Sequence, residues 1–258
     1  MQQSLAELGV NDSLLTAKEK QELDDNGFTI LQGVLSAAQV EEARAAFEHI
    51  CEKERKSAGL EVHQEAGTRR ISDLVNKAEI FDIFYTHPRV LSAIHYVFKK
   101  DFRLSSLNGR DALPGEGNQV LHADGPPAKA IGDYIVCNSI WLLDDFERDN
   151  GCTRLVPGSH KSLKSPHEEM EDPAQTHPDE VYLIAPAGSV GVFNSHTWHG
   201  GTINVTHDKT RRACHSYFSL RTEPQQLNQQ EYIRLKTWKR ISPAARYILD
   251  VDTNLDNP

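Results

Sequence analysis

The sequence has no apolar run approaching the ~20 residues that cross a bilayer, which excludes a transmembrane helix. Met1–Leu15 lacks a basic segment followed by an apolar one, so no secretory signal is expected. No block of Lys and Arg occurs. The 28 basic side chains are outnumbered by 37 acidic ones, for a formal net charge of −9. That balance argues against nucleic acid or an anionic membrane as the main partner. Cysteine is sparse: Cys51, Cys137, Cys152 and Cys214 include no C-x-x-C pair. A zinc cluster or redox dithiol is therefore disfavoured, and reduced, buried thiols in a cytoplasmic setting are expected. Internal repeats, low-complexity tracts and Ser/Gly linkers are also missing. The 258 residues read as one domain, long enough to bury a core without staples.

What is present divides into two halves and a tail. Residues 1–100 are dominated by helical periods. Ala17–Asp25 is charged and is closed by Gly27, and Phe28–Leu31 is a short strand-like run. Ser36 precedes a helix with Val40, Ala43, Phe47, Ile50 and Cys51 at spacings of three and four. Pro88 opens another, with Val90, Leu91, Ile94, Val97 and Phe98 on one side. Over 101–221 short β-rich runs alternate with Gly, Pro, Asn and Asp turns. These runs are Phe102–Leu107, Asn118–His122, Tyr134–Leu143, Cys152–Val156, Val181–Ile184, Ser189–Phe193 and Arg211–Leu220. Such a series predicts a sandwich, jelly roll or barrel, and helices followed by strands give an α+β class. The tail, 222–258, adds one helix near Gln229–Lys236 and an acidic, Asn-rich end.

Twelve histidines are the chemical resource. The informative pair is His122 and Asp124, since on a strand alternate residues share a face. Imidazole plus carboxylate is two thirds of the facial triad that holds non-haem Fe(II), although H-x-D alone is a weak signal. A third ligand must come from downstream, where His196, His199, His207 and His215 are candidates. His199 has the best context, because Gly200 and Gly201 remove side-chain bulk where a co-substrate would approach. Further on, adjacent Arg211 and Arg212 begin a strand. Alternation sends one inward, where a guanidinium can hold a carboxylate in a bidentate fork.

At this point the sequence resembles the phytanoyl-CoA hydroxylase family of Fe(II)- and 2-oxoglutarate-dependent oxygenases. Four stretches carry the resemblance, in order, between about Gly27 and Leu220. They are His122-Ala123-Asp124; Trp141-Leu142-Leu143-Asp144-Asp145 running to Asn150-Gly151-Cys152-Thr153-Arg154; Pro157-Gly158-Ser159-His160-Lys161; and Ala187-Gly188-Ser189 through Trp198-His199-Gly200-Gly201 to Asn204 and Arg211-Arg212-Ala213. The resemblance implies a double-stranded β-helix, a jelly-roll core flanked by N-terminal helices. It implies His122, Asp124 and His199 as iron ligands and a strand arginine for the far carboxylate of 2-oxoglutarate. Arg211 is the first choice for that arginine and Arg212 the second. Trp141 matches a family tryptophan beside the co-substrate. A hydroxyl that sometimes contacts the co-substrate is replaced here by Gly201.

The expected activity is hydroxylation of a C–H bond in a small-molecule metabolite, using Fe(II), 2-oxoglutarate and O2 and releasing succinate and CO2. Desaturation, epoxidation and cyclisation use the same triad. Halogenation is disfavoured because Asp124 fills the position a halide would need. Two other classes are a cupin-type metalloenzyme that does not use 2-oxoglutarate and a non-catalytic jelly-roll binding protein. The strand arginine argues against the first and the intact triad against the second. Asn108 and Arg110 share a strand face that could line the substrate pocket, and Arg69 and Arg70 lie in a stretch that could form a lid. A cationic pocket inside an acidic shell is the expected charge layout.

Overall fold

The computed structural model describes residues 1–64 and 67–252, so the acidic, Asn-rich end lies outside the described residues. Its helices are α1 (Gln2–Glu7), α2 (Ala17–Asp25), α3 (Ala37–Glu54), α4 (Ile83–Thr86), α5 (Pro88–Phe98), α6 (Pro166–Glu169), α7 (Gln229–Tyr232), α8 (Leu235–Arg240) and α9 (Pro243–Leu249). Its strands are β1 (Phe28–Leu31), β2 (Arg70–Ile71), β3 (Phe102–Ala112), β4 (Val136–Leu142), β5 (Thr153–Leu155), β6 (Val181–Tyr182), β7 (Val190–Asn194), β8 (His199–Gly201) and β9 (Arg211–Leu220). The class is α+β.

Local chemistry explains the helix ends. Thr16 with Glu19, and Ser36 with Gln39, form capping boxes that open α2 and α3. Pro88 occupies the first turn of α5, where its missing N–H costs nothing. Gly27 follows α2 with φ +85°, a conformation that turns the chain sharply into β1. The single tail helix expected near Gln229–Lys236 is instead three short ones, because Ile233 and Ile241 leave helical geometry between them.

Two antiparallel sheets form the core. One has the order β1-β7-β4-β9-β3-β2 and the other β6-β5-β8. Both edge strands of the larger sheet come from the first hundred residues, so that half supplies sheet as well as helix. The larger sheet has two buried faces. Cys137, Trp141, Val190, Val192, Cys214 and Phe218 pack against the helices. On the other face Ile140, Leu142, Phe193 and Ala213 meet Leu155 and Leu183 of the smaller sheet side.

Strand β3 changes allegiance partway. Its register with β9 slips between Leu104 and Ser106, leaving Ser105 as a bulge. Phe102 and Leu104 before the bulge, and Leu107 after it, all face the helices. The slip turns Asn108 and Arg110 toward the space between the sheets, where both line a cavity.

A buried ion pair locks the smaller sheet. Arg154 Nη1 lies 3.1 Å from Glu180 Oε2, with both side chains about 5% exposed or less. The same guanidinium donates to the Gln175 and Gln119 carbonyls at 3.1 and 2.9 Å. Glu180 also accepts from the Tyr182 hydroxyl and the His177 amide. Removing one partner leaves a buried charge uncompensated, so Glu180→Ala is expected to cost about 3–5 kcal/mol of stability in urea unfolding. An unchanged midpoint would show that the pair holds nothing.

Candidate metal centre

His122 and Asp124 do not sit on a ladder strand as the Asn118–His122 expectation had it. The segment is extended, with an isolated antiparallel bridge between His122 and His199. Its backbone groups are nevertheless well satisfied. His122 N–H donates to the His199 carbonyl and His199 N–H to the His122 carbonyl, both at 2.9 Å. Gln119 N–H reaches the Gly201 carbonyl at 2.9 Å and Asp124 N–H the Ser195 carbonyl at 2.8 Å. The segment is short because neighbouring donors go to other parts of the chain; Leu121 N–H bonds Pro173.

This bridge brings together three side chains. His122, Asp124 and His199 each offer one ligand atom, and these lie within 4.8 Å of one another. His122 Nε2 is 3.8 Å from Asp124 Oδ1, and His199 Nε2 is 3.5 Å from Asp124 Oδ2. Each imidazole has Nδ1 against a carbonyl, that of Val120 at 3.0 Å and of Thr197 at 2.8 Å. A carbonyl can only accept, so Nδ1 carries the proton and the Nε2 lone pair is left for a metal. Burial, aided by the nearby His122 ring, pulls the His199 pKa down to about 4 and keeps the ring neutral. Asn138 Nδ2 donates to Asp124 Oδ2 at 2.6 Å and orients the carboxylate. Two neutral nitrogens and a braced carboxylate suit a divalent ion of the iron or zinc type.

The same cavity, of about 120 Å³, reaches Arg211. That residue is 2% exposed. Its guanidinium stacks 4.4 Å over the Phe146 ring, and Nη2 donates to the Gly151 carbonyl at 2.5 Å. Its Nε is buried without a partner. No carboxylate pairs with it among the described residues. Burial and then the Arg110 charge push its pKa down to about 9, still protonated at neutral pH. Arg212 points the other way. It makes a two-pronged contact with Asp144, both bonds 2.8 Å, and reaches Glu48. Asp124 is the one acidic side chain among the described cavity-lining residues.

Other expected contributors fall elsewhere. Trp141 is not beside the cavity. It is fully buried on the helix side of β4, 4.6 Å from the Phe84 ring, with Nε1 donating to the Ser139 and Ser216 hydroxyls. Alternation gives the cavity face to Ile140 instead. Arg69 is no lid residue, since Glu48 and Asp111 bind it. Arg70 does line the cavity, from β2. His196 accepts from the Ile135 amide, and His207 is exposed on a loop. His215 faces the cavity outside the trio. The glycine pair also has a reason beyond the one expected. A Cβ on Gly201 would stand 2.6 Å from the Gly117 carbonyl, and one on Gly200 3.0 Å from that of Val120. Close approach of the His122 segment favours glycine at both positions, and both also line the cavity, as the expectation about side-chain bulk requires. Asn138 was not foreseen, since its role depends on strand register.

Residues 23–213 match the family model described as Phytanoyl-CoA dioxygenase (PhyH). The Fe(II)/2-oxoglutarate-dependent dioxygenase nvfF of Aspergillus novofumigatus is 30% identical, over 72% of this chain and 66% of that protein. Among solved structures, HygX from Streptomyces hygroscopicus with nickel and 2-oxoglutarate bound superposes with a TM-score of 0.67. It is 19% identical and the match covers 82% of this chain and 89% of HygX. The α-ketoglutarate-dependent carbocyclase SnoK from nogalamycin biosynthesis gives 0.66 at 20% identity, covering 89% and 92%.

The position of Trp141 can be checked directly. Trp141→Phe removes two buried hydrogen bonds and is expected to lower stability by about 1–2 kcal/mol in chemical denaturation. The affinity for 2-oxoglutarate should not change. A weakened co-substrate would put the indole back beside the cavity.

Proposed function

The chain belongs to the phytanoyl-CoA dioxygenase (PhyH) family and is an Fe(II)- and 2-oxoglutarate-dependent dioxygenase, and we propose that it hydroxylates a C–H bond of a small polar metabolite. One observation carries this reading. A single cavity holds a two-imidazole, one-carboxylate trio and, apart from it, a buried arginine with no carboxylate partner among the described residues. We assign His122, Asp124 and His199 as the iron ligands and Arg211 as the seat of the far carboxylate of 2-oxoglutarate. We also read the two sheets as a double-stranded β-helix within one domain. Their antiparallel pairing, with the trio between them, supports that reading.

When bound, Fe(II) with 2-oxoglutarate and O2 supplies the oxidation that converts R–H to R–OH, with succinate and CO2 as co-products. The protein's own part is positional. Nδ1 donation to the Val120 and Thr197 carbonyls fixes both imidazoles in the ligand tautomer. Asn138 holds the Asp124 carboxylate. Arg211 offers a guanidinium that Phe146 and Gly151 have already oriented, so little is lost in ordering it. Asp124 keeps the carboxylate in place, which favours hydroxylation over halide transfer.

Anaerobic addition of Fe(II) and 2-oxoglutarate should give a weak visible charge-transfer band, and its absence would end this reading. Arg211→Met is expected to raise the Kd for 2-oxoglutarate in that titration by about 100-fold, roughly 3 kcal/mol. An unchanged Kd would assign the clamp elsewhere. Asn138→Leu frees Asp124 and is expected to weaken Fe(II) binding about 10-fold in a calorimetric metal titration. Equal affinity would make Asn138 a bystander.

A further inference from the structure

The cavity has a wall that neither the metal trio nor Arg211 uses. Asn108 of β3 and His215 of β9 are direct cross-strand partners, and both line the cavity. Asn108 is 4% exposed, and its Oδ1 is buried without a partner. His215 Nε2 is likewise buried without a partner. The two atoms project to the same face of the sheet and offer one ligand group two adjacent polar partners in the cavity.

The orientation of Asn108 is fixed by its neighbours. Its Nδ2 donates to Ser106 Oγ at 3.0 Å, and the Ser106 hydroxyl donates to Gln226 Oε1 at 2.6 Å. The relay runs one way, so Oδ1 is the atom left for a ligand, and it can only accept. The relay depends on the bulge. Gln226 N–H donates to Ser105 Oγ at 2.7 Å and Leu227 N–H to the Ser105 carbonyl at 3.1 Å, which docks the segment after β9 onto β3. Gln226 also lines the cavity.

His215 is kept neutral by burial and by the charges of Arg110, Arg70 and Arg211. That cationic surround disfavours an ammonium group. Apart from glycines, Ile140 and Phe193 are the wholly apolar residues among those described as lining the cavity. A long hydrocarbon chain finds little to bury against. A neutral hydroxyl fits all three conditions. It donates to Asn108 Oδ1, pairs with a neutral imidazole, and suits a polar wall.

We propose that Asn108 and His215 determine substrate specificity by binding a hydroxyl group of the substrate, and that the substrate is a polyhydroxylated small molecule. This rests on the hydroxylase reading above. The test uses full-length enzyme with Fe(II) and 2-oxoglutarate, and a panel of cyclitols and monosaccharides paired with their deoxy counterparts. At least one hydroxylated member should raise succinate release above the rate without added substrate, and loss of the bound hydroxyl should cut that rise at least 10-fold. Asn108→Leu should cut it at least 10-fold as well. His215→Leu serves as an independent second variant, and His215→Gln should restore part of the response. In all three variants the Kd for 2-oxoglutarate, read from the anaerobic band, should stay within about twofold of the parent. A 10-fold loss of 2-oxoglutarate affinity in both leucine variants would put the pair in the co-substrate seat and overturn the proposal. Equal stimulation of the variants, or no response to any hydroxylated member, would also overturn it. Failure of the hydroxylase reading itself looks different, since the parent would then lack the band.

Discussion

The centre depends on one reciprocal pair of backbone hydrogen bonds, between His122 and His199, each 2.9 Å long. These residues are far apart in sequence, and the Gln119 side chain, accepting from the Gly201 amide at 2.8 Å, adds a further tie between their segments. The bridge sets the two rings 4.4 Å apart. The next contact, Asp124 N–H to the Ser195 carbonyl, carries the carboxylate to the same place. The ligand geometry is thus built from main-chain bonds, with Arg154 pinning Gln119 behind it. Three potential ligand atoms are thereby brought together on backbone that is already ordered.

The larger sheet then sorts charge by alternation. Arg211 and Arg212 are adjacent, yet one ends in the cavity and the other in an outer network with Asp144 and Glu48. Arg69 and Asp111 extend that network. Asp144, Glu48 and Asp111 thus pair with arginines away from the cavity, whose described lining offers Asp124 as its one acid. With Arg70, Arg110 and Arg211 in that lining, the cavity is locally positive inside an acidic protein.

The same alternation explains what could be read from the sequence. His122 and Asp124 share a side because they are two apart, and this holds whatever they pair with. The inward arginine of the pair was legible for the same reason, and β9 begins where its pattern suggested, at Arg211. Trp141 was misassigned because a one-residue difference in register reverses a strand's faces. Composition does not reveal that parity, and Ile140 took the cavity side. Asn138 follows from the same parity, so it was hidden with it. The bulge at Ser105 is harder still. Nothing in Leu104-Ser105-Ser106 announces it, and it is held from outside by the Gln226–Leu227 segment.

The two parts of the cavity are built by different means, and this has a consequence. The His122–Asp124–His199 trio hangs on backbone bonds among the His122 segment, β8 and the Ser195 turn. A side chain added at Gly200 or Gly201 would press on the backbone that carries those bonds, so the trio is sensitive to whatever moves that backbone. The Asn108–His215 wall is held by a chain of side chains, through Ser106 to a segment beyond the sheet. Single substitutions there alter what the wall offers without disturbing a ladder. The fold thus separates a trio held by main-chain bonds from a cavity wall held by side chains, and the bulge in β3 is what turns that wall toward the cavity.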